Sequence, residues 1–208
     1  MILISKPLTI RAILGGVLAG LSLGQVGAFF MPVALALLWS ICSNYKAAFL
    51  WTGIAVLISH SWLLALHPLN WIGLNNLVSL LITIFIWLCC GLLGGAIVAI
   101  WSLIGKGLTL IKKNQKDIIQ NFSHASLMSL IWGIGESCLS KSPLFWVGVG
   151  TTALPEDLWI SGLSRLIGSG GLASIQLIFG WWLWQIFISI KQRKILFKLY
   201  FIGIFALL

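Results

Sequence analysis

From Leu74 to Ile104 the chain runs for thirty-one residues without a charged side chain. An α-helix needs about 20 apolar residues to cross a hydrocarbon layer roughly 30 Å thick. A segment of that kind offers water nothing to hydrogen-bond except its backbone. In lipid the backbone must satisfy itself, which a helix does within one segment. Similar apolar runs recur along the 208 residues, separated by short polar gaps. With 60% hydrophobic and 8% charged residues, the chain cannot clothe a soluble domain in polar surface. It reads as an integral membrane protein.

The runs define about seven spans: 8–26, 29–42, 47–66, 74–104, 123–139, 159–190 and 195–208. The opening of the sixth reads as a re-entrant or interfacial piece. The first reads as a span and not as a cleaved signal, because no small-residue cleavage site follows a short apolar core. The fold class expected is an all-α polytopic transmembrane helix bundle over residues 1–208.

The formal charge of +9 does not call for nucleic acid, because the basic residues form no single face or long run. Lys6 and Arg11 lie at the start, and Lys46 lies in the second gap. Lys106, Lys112, Lys113 and Lys116 lie in the fourth gap, and Lys191, Arg193, Lys194 and Lys198 in or beside the sixth. Only Lys141 and Arg165 fall on the other side. Basic residues collect on the cytoplasmic side of a membrane. The pattern places the N-terminus in the cytoplasm and the C-terminus outside. The loop holding Lys112, Lys113 and Lys116 would favour anionic lipid headgroups.

Four acids are present, and Glu136 alone sits inside an apolar segment. A charge at the bilayer centre costs about 2.5–3.5 kcal/mol on insertion scales, so such residues are candidates for function. Glu136 stands about three residues, or roughly 5 Å of helix rise, from the outward end of its span. There it can support the outward loop by accepting hydrogen bonds from backbone N–H groups or tryptophan indoles. The bland alternative is a solvated residue at the interface. Arg165 and Lys141 can meet phospholipid headgroups or pair with Glu156 and Asp157.

The outward gaps are rich in aromatic and turn residues, as in His67-Pro-Leu-Asn-Trp71 and Pro143-Leu-Phe-Trp146. Most of the twelve tryptophans are accounted for as interfacial anchors. Cys42, Cys89, Cys90 and Cys138 show no CxxC or metal-ligand spacing and read as buried packing residues. His60 and His124 carry no functional reading. Gly168-Ser-Gly-Gly171 lacks a phosphate-loop pattern, and its small residues suit close helix packing, as do Gly15, Gly16, Gly20 and Gly24.

The stretch Trp132-Gly-Ile-Gly-Glu136-Ser-Cys-Leu-Ser-Lys-Ser-Pro143-Leu-Phe-Trp146-Val-Gly-Val-Gly resembles the membrane domain of apolipoprotein N-acyltransferases of cyanobacterial type. The family has a Trp/Glu-bearing helix end followed by a Gly-Phe-Pro-Trp-like turn, here Ser-Pro-Leu-Phe-Trp. Leu166-Ile-Gly-Ser-Gly-Gly171 resembles the Gly-rich start of the family's next span. Ala48-Phe-Leu-Trp51 through Trp71 resembles its third span with a His-bearing outward loop. Together these cover about residues 12 to 190.

The resemblance implies acyl transfer from a phospholipid to a thiol, and then to the α-amino group of a diacylglyceryl-cysteine that begins a lipoprotein. In the family a nitrilase-like domain beyond the seventh span does this with a Glu-Lys-Cys triad. That domain is expected to be missing here, so no catalytic residue is assigned and the chain alone is expected to be inactive. Glu136, Pro143, Phe145, Trp146, His67 and Trp71 are the candidate lipid-binding residues. No metal or cofactor is implied. The implied partners are a phospholipid acyl donor, a lipoprotein and a separately encoded nitrilase-like chain. The implied location is the bacterial inner membrane. The alternatives are a non-enzymatic lipid-binding or scaffold protein and a small transporter.

Overall fold

The computed structural model describes residues 4–23, 28–111, 118–141, 148–153 and 158–191. Among these residues the protein is all-helical, with six α-helices: α1 (Lys6–Leu21), α2 (Met31–Ile41), α3 (Tyr45–Ser59), α4 (Asn76–Ile111), α5 (Ile118–Ser140) and α6 (Leu158–Lys191). Short 3-10 turns cover Ala28–Phe30, Ser61–Leu66, Asn70–Ile72 and Val149–Ala153. The stretch 195–208 expected as a seventh span lies outside the described residues, as do Pro143, Phe145 and Trp146.

Local chemistry sets the helix starts. Pro7 opens α1 and Pro32 opens α2, where a missing N–H costs nothing. The Asn44 carboxamide accepts from Lys46 N and Ala47 N at 3.1 Å each and so caps α3. Asn75 Oδ1 accepts from Val78 N at 2.9 Å at the start of α4. Each satisfies N–H groups that the first helical turn leaves without a partner.

Two helices are long and apolar enough to cross a bilayer, over Asn76–Thr109 and Gly162–Lys191. The third apolar stretch, 47–66, is not one helix. It leaves α geometry at His60 (φ −100°, ψ 17°) and continues as the 3-10 turn Ser61–Leu66. It holds the last 13 residues of α3 and the six 3-10 residues, and the 3-10 piece rises about 2.0 Å per residue against 1.5 Å in the α piece. The sixth stretch is interrupted at Gly168 (φ 68°, ψ −179°). That conformation is essentially reserved for glycine, and it separates the first ten residues of α6 from the rest.

Packing is governed by small residues. Gly133 on α5 faces Gly170 and Ser174 on α6, and Gly170 faces Gly133 and Ser137 in return. Each helix thus presents a small residue at i and i+4, which lets two backbones approach closely without Cβ atoms between them. Gly16 of α1 lies against the Trp51 carbonyl and Ile54 of α3, and Gly95 of α4 against Phe49 of α3. The buried core runs through Ala34, Leu35 and Leu38 of α2, Trp51 of α3, Trp101 of α4, Met128 of α5 and Leu177 of α6.

The tryptophans do more than anchor an interface. Trp39 Nε1 donates to the Leu177 carbonyl at 2.8 Å, and Trp51 Nε1 to the Ala34 carbonyl at 3.2 Å. Trp87 Nε1 donates to the Leu57 carbonyl at 2.8 Å, and Trp101 Nε1 to the Met128 carbonyl at 2.9 Å. Four indoles therefore tie neighbouring helices together. Three of them, Trp39, Trp51 and Trp101, are buried.

Candidate functional site: an apolar cleft braced by one carboxylate

A cleft of about 220 Å³ lies between α3, α4 and α5. Thr52, Ala55 and Val56 form one wall, Ile97, Ile100 and Trp101 the second, and Ile131, Gly135 and Leu139 the third. Apolar lining dominates because the helices turn Ile, Val, Leu and Trp side chains inward at helical spacing. The one ionisable residue in the lining is Glu136.

Glu136 is 4% exposed, and both of its oxygens are engaged. Oε1 accepts from Gly150 N at 2.8 Å. Oε2 accepts from Val149 N at 3.1 Å and from Trp132 Nε1 at 3.1 Å. Val149 and Gly150 begin the 3-10 turn Val149–Ala153, so their N–H groups have no partner inside the turn. The carboxylate supplies it, and α5 thereby holds a turn that comes after it in the chain. Gly148 allows this, since a Cβ at that position would collide with the Glu136 carboxylate.

The turn is held on its far side by α6. A Cβ at Gly150 would strike the Ser169 carbonyl, so only glycine fits between the turn and α6. Thr152 Oγ1 donates to Gln176 Oε1 at 2.9 Å. The 148–153 turn is thus wedged between Glu136 and α6. It joins α6 to the wall of the cleft through Gly148 and Val149.

An aromatic column backs the site. Trp39 and Trp101 meet edge to face with centroids 5.5 Å apart, and Trp101 and Trp132 do so at 5.4 Å. Trp132 then donates to Glu136. Edge-to-face pairs are favoured by the ring quadrupoles, so the orientation of the Trp132 indole is fixed from behind.

His67 and Trp71 are not brought to this cleft. His67 Nδ1 meets Ser79 Oγ at 2.9 Å, and the same hydroxyl accepts from Leu69 N at 2.7 Å. This fastens the 67–73 loop to the start of α4. Trp71 in that loop is 80% exposed. Sequence reasoning missed Trp101, Gly148, Val149, Gly150, Thr152 and Gln176. One signal was legible: Trp132 and Glu136 are spaced i, i+4, which makes them neighbours on a helix.

Chemically, the arrangement can hold an apolar chain against a rigid wall. Glu136 acts as a hydrogen-bond acceptor for the turn. Among the described residues no group of three or more His, Cys, Asp or Glu side chains could hold a metal ion.

These features define an all-helical protein with membrane-capable helices and a lipophilic cleft between three of them. The chain is 45% identical over 194 residues to an apolipoprotein N-acyltransferase from a strain of Prochlorococcus marinus, a match covering 93% of this chain and 39% of that protein. It is 47% identical over 182 residues to an apolipoprotein N-acyltransferase of Parasynechococcus marenigrum, covering 88% of this chain and 38% of the relative. A more distant relative of the same name, from Nostoc, is 30% identical over 161 residues, covering 72% of this chain and 31% of the relative. By descent this chain belongs with the apolipoprotein N-acyltransferases, and it spans about 40% of the length of the curated relatives it matches. No protein-family model matches the chain, and no solved structure does.

Proposed function

We propose that this chain is the membrane part of an apolipoprotein N-acyltransferase and that the α3–α4–α5 cleft receives the acyl chain of its phospholipid donor. The observation that carries the reading is the site's division of labour. The lining is apolar, and its single carboxylate is consumed in bracing the turn beside it. Acyl chains are insoluble, so a reaction on their carbonyl needs an apolar groove that presents it at the membrane surface.

In this reading the bundle has seven spans in the inner membrane, with the N-terminus cytoplasmic and Glu136 near the outer face. Pro143, Phe145 and Trp146 lie between α5 and the braced turn in sequence, which supports a place for them at the mouth of the cleft. His67 and Trp71 belong to a separate outward loop, where they would meet headgroups. The acyl acceptor is the α-amino group of a lipid-modified lipoprotein cysteine. The bond-making chemistry is assigned to the portion of the relatives that this chain does not match, supplied as a separate nitrilase-like chain or in continuation.

A chimera tests this. The chain replaces the matching segment of the Prochlorococcus relative in a strain that depends on that enzyme for lipoprotein N-acylation. Mass spectrometry of lipoprotein N-termini is expected to show the third acyl chain. A well-expressed, membrane-inserted chimera that leaves the α-amino group free would overturn the proposal.

A further inference from the structure

A second, smaller pocket lies near the end of α4 that carries Lys106, and the acyl-transfer reading makes no use of it. It measures about 80 Å³. It is built from the end of α2 and the turn that follows it, the last turns of α4 and the first turns of α5.

The pocket has two kinds of surface. Its floor is apolar, made of the buried rings of Trp39 and Trp101 and the buried side chain of Met128. Both indole N–H groups are already committed to carbonyls, so the floor offers ring surface and no free donor. Its rim holds Ser43, Lys106 and His124. Ser43 and Lys106 are exposed, and His124 is half-buried.

Among the described residues the rim carries a positive charge and no acid. Glu136 is the only acid among the described residues, and its oxygens are occupied elsewhere. No carboxylate among the described residues therefore neutralises Lys106. His124 Nε2 meets the Gly105 carbonyl at 3.3 Å. A carbonyl only accepts, so Nε2 carries the proton and donates, leaving Nδ1 as the ring's other polar atom. In sequence, Lys112, Lys113, Lys116 and Asp117 follow the end of α4, a net charge of +2.

A compact cationic rim over an apolar aromatic floor matches an amphiphile whose charged end is an oxyanion. We propose that this pocket binds the phosphate of an anionic phospholipid, with Lys106 and the Ser43 hydroxyl meeting the phosphate oxygens and the Trp39–Trp101 floor meeting the adjoining glycerol and acyl carbons. Free phosphate shares the oxyanion but has no use for the floor. The pocket lies on the other side of Trp101 from the donor cleft, whose wall that ring also forms, and its test does not depend on acyl transfer.

The experiment uses the full chain in nanodiscs of equal parts phosphatidylglycerol and phosphatidylcholine. Lipid retained after release is read by native mass spectrometry. Wild type is expected to retain phosphatidylglycerol preferentially. Lys106→Ala is expected to lower that retention about fivefold, the scale of one basic residue near a charged headgroup. Lys106→Arg is expected to keep it, which separates loss of charge from loss of fold. Lys6→Ala/Lys191→Ala, at exposed lysines that do not line the pocket, is expected to change it less than Lys106→Ala does. An equal loss in that double variant would mean diffuse surface charge and would overturn the proposal. Competition by millimolar inorganic phosphate, with no lipid preference, would overturn the lipid assignment in favour of free phosphate. Absence of both effects would overturn the site itself.

Discussion

Trp132 and Glu136 stand one helical turn apart on α5, and the indole Nε1–H of the first donates to Oε2 of the second at 3.1 Å. The same oxygen also accepts from Val149 N. One carboxylate thus joins its own helix to a turn thirteen and fourteen residues further along the chain. Glu136→Gln tests this joint. The amide keeps the shape but replaces one acceptor oxygen with a donor, which then faces an N–H. A buried donor left without a partner costs about 1–3 kcal/mol. The variant is expected to unfold at lower temperature in detergent and to be cut faster by protease between α5 and α6. Unchanged stability together with unchanged protease resistance would show that the turn is held by other contacts.

Gly135 lines the cleft, and a Cβ there would meet nothing within 4 Å. Gly135→Leu is therefore expected to fill the cleft with little backbone strain. Glycine is about 1 kcal/mol worse than alanine inside a helix, so the fold should hold or gain slightly. Crosslinking from a phospholipid with a photoactivatable acyl chain is expected to fall at the α3–α5 peptides and to persist on the outward face of α4, where Leu77, Leu81 and Phe85 are exposed. Undiminished crosslinking at the cleft would mean that acyl chains do not enter it.

The limits of sequence legibility show in particular residues. The helices could be read because lipid-spanning segments are written as apolar runs, and Glu136 because it interrupts one. Trp132 was in view one turn upstream. Which backbone N–H groups the carboxylate meets could not be read, because those of Val149 and Gly150 carry no side-chain signature and lie thirteen and fourteen residues further along the chain. The tryptophans misled for a related reason. An indole's ring says that it prefers an interface, but where its N–H points is decided by the neighbouring helix. The glycines of Gly168-Ser-Gly-Gly171 looked alike, yet Gly168 is needed for its dihedral angles and Gly170 for its contact with Gly133.

That difference gives two separable outcomes. Gly168 has open space around a Cβ but a backbone at φ 68°, ψ −179°. Gly168→Ala is expected to cost about 1–3 kcal/mol through strain alone and to straighten the break in α6. Gly170 lies against the Gly133 carbonyl in helical backbone. Gly170→Ala is expected to push α5 and α6 apart at a cost of about 1–3 kcal/mol. Disulfide formation between cysteines introduced across the α5–α6 contact should slow in the second variant and not in the first. Equal slowing in both would show that the two glycines play one role.

Trp101 separates a helix tie from an interfacial anchor. Phenylalanine keeps an aromatic ring and removes the N–H that donates to the Met128 carbonyl at 2.9 Å. Interhelical hydrogen bonds in membrane proteins average about 0.6 kcal/mol and reach about 1.7. Trp101→Phe is expected to destabilise within that range, whereas an anchor at a headgroup would lose little. Trp132→Phe removes the bond to Glu136. Because the two rings touch edge to face at 5.4 Å, the paired substitutions should not add. A double-mutant cycle measured by thermal unfolding is expected to give a coupling of about 0.5–1.5 kcal/mol. A coupling near zero would mean that the column does not orient the Trp132 indole, and that Glu136 holds its turn without support from α4.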